Sequence, residues 1–321
     1  MTAPRLLGDI GATNARFALL HPGHSAPCAL AVLKCVEHPT LFDAIRSYLA
    51  RQAPAAPRFG AIGIATPVLD DRVSMTNHPW SFSIRELQAA LRMERLVVIN
   101  DFTALALALP LLQAHELHGI GPGQARPGAP KAVLGPGTGL GVSALIGRGD
   151  DFVPLAGEGG HVTLSATDEA EDAVIAKLRE RFGHASAERA LSGPGLVNLY
   201  TACCEIAGRK PLPLDPEQIS ALALSDADPI CRRAVELFFA LLGTTAGNLA
   251  LTLGALGGVY IGGGIVPRLM ALIDASPFRT RFEAKGRYAD YLRDIPTWVI
   301  VSEVSPALLG AARALDMALS E

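Results

Sequence analysis

Short apolar runs and amphipathic stretches alternate along the first hundred residues of the chain. The apolar runs predict strands at 6–7, 16–20, 29–36, 59–65 and 96–99. Apolar residues at helical spacing predict a helix at 41–51, and a capping box from Ser83 to Glu86 predicts another that continues through Leu91. A third helix is predicted to start near Phe102. Strands that alternate with helices indicate an α/β fold.

The opening pattern recurs after a Gly- and Pro-rich stretch at 119–130. Residues 132–134 lead into a glycine turn at 135–139, and a strand is predicted at 140–146. Because both copies read strand, glycine turn with threonine, strand, the sequence predicts a two-fold internal repeat. The remainder is predicted as a strand at 152–155 and helices at 168–182 (capped by Thr167 and stopped by Gly183), at 194–207, from Pro229 onward, and at 306–319.

One apolar segment passes a length test for a membrane span. Residues 237–261 carry no charge over 25 positions, whereas a spanning helix needs about 18. Five glycines interrupt the segment, and Thr244, Asn248 and Thr252 fall on one helical face. The end of the segment reads as a short strand before a glycine turn. We therefore expect a buried helix and no membrane contact.

Composition narrows the function classes. Half of the 321 residues are hydrophobic, which excludes intrinsic disorder, and the length suits about two domains. The 28 Lys and Arg nearly balance the 31 Asp and Glu, and no basic run is present, so we expect no nucleic-acid partner. The five cysteines form no C-x-x-C pair, and the first residues lack a signal-peptide pattern. These features favour a reducing, cytoplasmic location.

Glycine loops are the candidates for binding phosphate. In Gly8-Asp9-Ile10-Gly11-Ala12-Thr13, glycines would let backbone N–H groups approach phosphate oxygens, and Asp9 would offer a carboxylate to nucleotide-bound Mg²⁺. Gly135-Pro136-Gly137-Thr138-Gly139 is a similar loop, and Gly262-Gly263-Gly264 could lie under an adenine ring. Each loop also fits an ordinary turn. Walker-type and dinucleotide-binding glycine patterns do not occur in the sequence.

Asn100-Asp101 follows an apolar strand, at the sheet edge where open α/β folds place ligands. An aspartate there can accept the proton of a substrate hydroxyl as that hydroxyl attacks phosphorus. Aspartate is also a preferred cap for the helix that starts near Phe102. The sequence leaves both roles open.

A second polar group lies further along the chain. Glu158-Gly159-Gly160-His161 and then Glu188 supply carboxylates and an imidazole, which suit vicinal sugar hydroxyls through charge-assisted hydrogen bonds. One histidine and two glutamates are a weak zinc pattern. Glu188 alone also fits a solvated residue at a helix start.

Together these stretches resemble the bacterial glucokinases, which are sugar kinases of the ribonuclease-H-like, actin-like ATPase superfamily. The resemblance spans nearly the whole chain. Its most specific pieces are Asn100-Asp101-Phe102 and Gly157-Glu158-Gly159-Gly160-His161. The other matching pieces are 8–16, Thr76-Asn77-His78, 135–141, 187–195 and 261–267.

The resemblance implies two actin-like (ribonuclease-H-like) domains around a sugar- and ATP-binding cleft. The small α/β domain would be 1–110, completed by a C-terminal helix at 305–321, and the large α/β domain would be 111–304. The implied reaction is ATP-dependent phosphorylation of D-glucose at its 6-hydroxyl, in the cytoplasm, by a homodimer that uses Mg²⁺.

The resemblance also implies roles by position. Asp101 would be the general base and a sugar ligand, and the other sugar ligands would be Asn100, Gly139, Glu158, His161 and Glu188. ATP would be bound by Gly8, Asp9, Ile10, Gly11, Ala12 and Thr13, by Gly137 and Thr138, and by Gly262, Gly263, Gly264 and Ile265. Beyond a contact from Asp9 to nucleotide-bound Mg²⁺, no metal ligand is implied.

Two departures from the family pattern and three alternatives accompany the resemblance. Ala12 stands where the family commonly has a second glycine, and the cysteine-rich zinc motif of the repressor/open-reading-frame/kinase relatives is missing, so His161 is read as a sugar ligand. Another sugar, such as mannose or an N-acetylhexosamine, would keep the chemistry, and ADP or polyphosphate could replace ATP. A hexose sensor without kinase activity is a function of another class. The early glycine hairpin and the presence of Asp101 favour the enzyme.

Overall fold

The structure is a computed structural model that describes residues 3–52, 56–148 and 151–320. In chain order the strands are β1 (Arg5–Ile10), β2 (Asn14–Leu20), β3 (Cys28–Lys34), β4 (Phe59–Ile64), β5 (Arg72–Ser74), β6 (Ser81–Ser83), β7 (Arg95–Asn100), β8 (Leu117–Gly119), β9 (Lys131–Pro136), β10 (Leu140–Arg148), β11 (Asp151–Gly157), β12 (Val259–Ile261) and β13 (Thr297–Ile300). The helices are α1 (Leu41–Gln52), α2 (Ile84–Ala90), α3 (Asp101–Ala108), α4 (Glu169–Phe182), α5 (Gly193–Ile206), α6 (Pro216–Leu224), α7 (Pro229–Leu253), α8 (Ile265–Arg268), α9 (Met270–Ile273), α10 (Phe278–Glu283), α11 (Ala289–Arg293) and α12 (Ala307–Ser320).

The described residues form two compact units. The first unit comprises those within Met1–Ala114, Pro154–Ala156 and Ser302–Glu321. The second unit comprises those within His115–Val153 and Gly157–Val301.

The first unit is built on a five-stranded sheet with the order β3-β2-β1-β4-β7. β1 and β2 form an antiparallel hairpin, while β1, β4 and β7 run parallel. The C-terminal helix α12 packs against α3 and the sheet, and its Gly310 lies so close to the backbone of Ala104 that any side chain there would collide with the Ala104 carbonyl. A glycine is therefore needed where α12 crosses α3.

The second unit repeats this topology. Its sheet, of which only residues 154–156 of β11 are grouped with the first unit, has the order β11-β10-β9-β12-β13-β8. In this sheet β9 and β10 form an antiparallel hairpin, and β9, β12 and β13 run parallel. When β8 is left out, the other five strands follow one another across the sheet in the same order, relative to their order in the chain, as the strands of the first sheet. The internal repeat predicted from the two glycine-turned hairpins is therefore confirmed by the strand order.

The long apolar helix α7 lies in the core of the second unit. Its length and hydropathy alone would allow a membrane span, but 72% of its most apolar window is buried within the protein. Gly243 and Gly247 let α7 approach α10, because a Cβ at either position would run into the carbonyl oxygen of Phe278 or Phe282. Burial against its neighbours thus accounts for both the apolar composition and these two glycines.

A helix cap and a strand end are among the local predictions that differ from the structure. Helix α4 is capped by Asp168, whose carboxylate accepts from the Glu171 N–H at 2.9 Å, so the prediction of Thr167 as the cap is wrong. The Glu171 N–H, and after it Arg281, lowers the pKa of Asp168 below its ordinary value. The strand predicted to reach residue 36 ends at Lys34, where a tight turn begins.

All five cysteines are free thiols. Burial raises the pKa of Cys203 and of Cys231 to about 11, so both stay protonated at neutral pH. Protonated thiols are poor nucleophiles and poor metal ligands.

Candidate active site

Strand β7 delivers Asn100 and Asp101 to the start of α3. The Asn100 side chain is the helix cap: its Oδ1 accepts from the N–H groups of Phe102 at 2.9 Å and Thr103 at 3.1 Å. Asp101 is the first helical residue, and its Oδ1 accepts from Phe102 N–H at 2.9 Å and from Asn100 Nδ2 at 3.1 Å. The sequence left two roles open for Asp101, that of a proton acceptor and that of a helix cap. The structure gives the cap to Asn100, whose side chain also orients the Asp101 carboxylate.

The position of Asp101 is set by close backbone packing. Gly63 of β4 faces α3, and a Cβ there would lie 3.1 Å from Ala104 Cβ and 3.4 Å from Asp101 Cα. A larger residue at 63 would therefore push the first turn of α3 outward. Both Asn100 and Asp101 are partly exposed.

The first glycine loop joins β1 to β2. Gly11 N–H donates to Asn14 O at 2.9 Å and closes the turn, with Ala12 and Thr13 at its tip. Gly8 and Ile10 lie in β1, and the Ile10 side chain is fully buried in the core of the first unit. The Ile10 carbonyl accepts from Ala65 N–H at 2.9 Å, and the residue as a whole is 0% exposed, so the structure gives Ile10 no direct access to a nucleotide.

Two polar groups of the first loop have distinctive surroundings. Asp9 is largely buried, and Arg16, opposite to it in the hairpin register, reaches its Oδ2 at 3.4 Å. Asn14 Oδ1 is buried and has no hydrogen-bond partner among the described residues. An unsatisfied buried acceptor costs about 1–3 kcal/mol, so a donor brought by a ligand would be stabilising there.

The second glycine loop joins β9 to β10. It is closed by Gly137 N–H, which donates to Gly139 O at 2.8 Å, and Thr138 is exposed at its tip. No described heavy atom lies within 4 Å of the place where a Gly137 Cβ would be, so the loop backbone faces open space. Such a backbone can approach a phosphate closely.

The third glycine stretch lies directly beside the second loop. Gly262 N–H donates to Leu134 O at 2.8 Å. Gly263 has a φ of +77° and packs so tightly that a Cβ would collide with the Pro136 carbonyl oxygen. Gly263 and Gly264 are exposed, and Ile265 begins α8. The two stretches assigned to the nucleotide by position are thus neighbours in the second unit.

Glu158 and His161 flank a tight turn after β11. The strand continues to Gly157, two residues beyond the predicted end, and His161 N–H donates to Glu158 O at 3.0 Å. Both side chains are exposed. A Cβ at Gly160 would collide with the Leu140 carbonyl oxygen, so the two glycines let this turn pack against β10.

Glu188 reaches the same strand from another turn. Its Oε2 accepts from the Leu140 N–H at 2.9 Å, and a Cβ at Gly139 would collide with that oxygen. A β-bridge between Thr163 and Ser186, with Ala187 N–H donating to Val162 O at 2.9 Å, joins the segments that carry His161 and Glu188. Gly139, Glu158, His161 and Glu188 are therefore brought to one end of β10.

Sequence reasoning missed Ser192. Its hydroxyl donates to Glu188 O at 2.8 Å and accepts from Gly195 N–H at 2.9 Å, which caps α5. A serine immediately before Gly-Pro-Gly is a helix-start signal that could have found it. Among the described residues, no three His, Cys, Asp or Glu side chains are grouped closely enough to hold a metal ion.

Comparison with known proteins decides the family. A family profile described as Glucokinase matches residues 6–318. The chain belongs to the glucokinase family. A curated glucokinase of Aromatoleum aromaticum is 55% identical over 320 residues, which is 99% of this chain and 96% of the relative.

Solved structures agree with the fold. The structure of a glucokinase from an Antarctic psychrotroph has a TM-score of 0.88 and 35% identity, and the match covers 99% of this chain and 100% of the other. A glucokinase from Balamuthia mandrillaris, solved in complex with glucose, has a TM-score of 0.82 at 22% identity and covers 98% and 94%, which shows a shared fold. Every candidate residue, from Gly8 to Ile265, lies inside the span that the family profile matches.

Proposed function

We propose that this protein transfers the terminal phosphoryl group of ATP to the 6-hydroxyl of D-glucose. The family membership supports a glucokinase activity. The observation that carries the chemistry is the start of α3, where Asn100 provides the helix cap and holds the Asp101 carboxylate at the carboxyl end of β7. Open α/β sheets bind their ligands at the carboxyl ends of their strands, which is where this carboxylate lies.

In the proposed mechanism Asp101 is the general base. Its carboxylate accepts the proton of the glucose 6-hydroxyl as that oxygen attacks the γ-phosphorus, and ADP leaves from the opposite side. Asn100 Nδ2, which donates to Asp101 Oδ1 at 3.1 Å, keeps the carboxylate in one orientation. Asn100 Nδ2 also lies 3.4 Å from Thr66 O, a long contact that a sugar hydroxyl could replace.

The remaining sugar ligands are proposed from the second unit. Glu158 and His161 are exposed and would bind sugar hydroxyls directly, with Gly139 giving the sugar room beside Glu188. One Glu188 oxygen, Oε2, is held by the Leu140 N–H, which orients the carboxylate. Carboxylates bind hydroxyls through strong, directional hydrogen bonds, and this directionality would select the sugar.

The glycine loops fit ATP and Mg²⁺. The open backbone at Gly137 suits a phosphate, and the adjoining 262–265 stretch suits the adenosine. Asp9 would hold Mg²⁺ on the phosphates, and the unpaired Asn14 Oδ1 would accept from a water of the hydrated ion. Mg²⁺ usually keeps several waters and takes one or two carboxylates, which this sparse donor set matches. The ion would neutralise charge that develops on the transferring phosphoryl group.

Sugar selectivity tests the proposed roles of Glu158 and Glu188 as sugar ligands. Glu158→Gln and Glu188→Gln should each raise the KM for glucose by about tenfold or more, because an amide replaces a charge-assisted acceptor. The KM for ATP should change much less. The measurement is kcat/KM for glucose and for its deoxy analogues, since loss of a bound hydroxyl leaves a polar group unpaired.

The matched control for these variants is Glu205→Gln, which removes a charge from an exposed ion pair with Arg181. It should leave both KM values at the wild-type level. A glutamate variant that shifted only the KM for ATP would remove that residue from the sugar site.

Metal dependence tests the proposed role of Mg²⁺. Activity should require Mg²⁺ and should survive a zinc-selective chelator, because a hydrated ion that arrives with ATP needs no thiolate or histidine cluster. The measurement is turnover after chelation and after Mg²⁺ is restored, with metal analysis of the purified protein. Stoichiometric zinc whose removal abolishes activity would overturn the role given to His161.

The first and second units are proposed as the small and large domains of a cytoplasmic homodimer. The deciding experiment on function is a coupled assay of the purified protein against a panel of hexoses and donors. We expect glucose with ATP to give the highest kcat/KM. Faster turnover of mannose, of an N-acetylhexosamine, or with ADP or polyphosphate would change the substrate assignment.

A further inference from the structure

A closed ring of hydrogen bonds joins Glu188 to the second glycine loop. The Gly139–Leu140 peptide group takes part with both ends: its N–H donates to Glu188 Oε2 at 2.9 Å, and its carbonyl accepts from Gly137 N–H at 2.8 Å. Gly137 O in turn accepts from Gly193 N–H at 2.8 Å. The preceding residue, Ser192, returns to Glu188 through its hydroxyl, which donates to Glu188 O at 2.8 Å.

The packing around the ring leaves little freedom. Ser192 is 2% exposed, and its hydroxyl also accepts from Gly195 N–H at 2.9 Å. A Cβ at Gly195 would lie 2.5 Å from Ala190 C, and one at Gly139 would collide with Glu188 Oε2. Displacement of segment 137–140 or of segment 188–193 therefore breaks the hydrogen bonds that join the two segments.

We propose that Ser192 is a positioning residue that makes sugar binding and nucleotide binding mutually dependent. This inference rests on the proposed function, in which Glu188 binds glucose and the second glycine loop binds ATP phosphates. Because the hydrogen bonds of the ring join the two segments, a ligand that holds one segment in its binding position also holds the other. The coupling is reciprocal: each ligand must raise the affinity for the other by the same factor.

Ser83 offers a matched control. It is a nearly buried serine that caps α2, where it accepts from Glu86 N–H at 3.1 Å and donates to Asp71 Oδ2 at 2.6 Å. Like Ser192, Ser83 accepts from the N–H three residues further on and donates to an oxygen, but it belongs to the first unit and takes no part in the ring. Ser83→Ala and Ser192→Ala each remove one cap and one donated hydrogen bond.

The experiment is calorimetric titration of the full-length protein with glucose, alone and with saturating Mg²⁺ and the non-hydrolysable analogue AMPPNP. In the wild type the analogue should tighten glucose binding by about fivefold or more. Ser192→Ala should reduce this factor to about twofold or less, whereas Ser83→Ala and the conservative Ser192→Thr should keep it. Thermal denaturation of each variant reports whether it is folded.

If Ser192→Ala does not fold, Gly139→Ala breaks the ring from the other side, and it too should lose the coupling. Wild-type coupling in either broken variant, or equal loss in Ser83→Ala, overturns the inference. A wild type that phosphorylates glucose without any coupling also overturns it but leaves the proposed function standing. A wild type that does not phosphorylate glucose overturns the proposed function itself.

Discussion

Asp101→Asn should lower kcat for glucose phosphorylation by about 10²–10⁴-fold, the usual range for loss of a general base, while glucose still binds. The amide keeps the shape of the carboxylate but cannot accept the hydroxyl proton. Helix α3 should keep its start, because Asn100 supplies the cap. The measurements are kcat from a coupled assay and the glucose Kd from calorimetry.

The control for this substitution is Asp228→Asn. Asp228 caps α7 through hydrogen bonds from the N–H groups of Ile230 at 2.7 Å and Cys231 at 3.1 Å, and asparagine is an equally good cap. Its kcat should stay at the wild-type level. A kcat near wild type for Asp101→Asn would reduce Asp101 to a structural residue of the first turn of α3.

Arg281→Met should destabilise the second unit by about 3–5 kcal/mol, because it leaves a buried carboxylate without its counter-charge. Glu171 is 1% exposed in its side chain, and its Oε1 lies 2.5 Å from Arg281 Nη2. Its other oxygen accepts from the Thr167 N–H at 2.9 Å, so the pair also holds the segment that follows His161. Urea unfolding and the thermal midpoint would measure the loss.

Two further variants decide the cause of that loss. Arg268→Met removes an ion pair with Glu217 in which both side chains are 64% exposed, and it should cost at most about 1 kcal/mol. The double variant Arg281→Met/Glu171→Gln removes both charges of the pair and should regain part of the stability. Equal costs for Arg281→Met and Arg268→Met would show that the buried pair contributes no more than a surface pair.

Much of the architecture can be predicted from local patterns in the sequence. The alternation of short apolar runs with helical spacing predicted the five strands of the first sheet and β9 to β12 of the second, and the two glycine-turned hairpins predicted the internal repeat; β8 and β13 were not predicted. Gly183 ends α4 with a φ of +75°, as a glycine after a helical pattern predicts. The sequence pattern predicted the wrong cap for α4, because Thr167 and Asp168 are adjacent and both are acceptable caps. The buried side chain of Glu171, which takes up the Thr167 hydroxyl, leaves the cap to Asp168.

By itself, the sequence determined the kinds of element, the repeat, the family and the candidate residues, because periodicity, turn chemistry and motif spacing are properties of neighbouring positions. Only the tertiary structure decided which groups meet. Glu188 bonds to the backbone of Leu140 across 48 positions of sequence, and Asn100 rather than Asp101 takes the cap. Gly139, Gly160 and Gly263 look alike in the sequence, yet each is required by a different oxygen packed against it. Such contacts depend on how whole elements pack, and no local pattern encodes that packing.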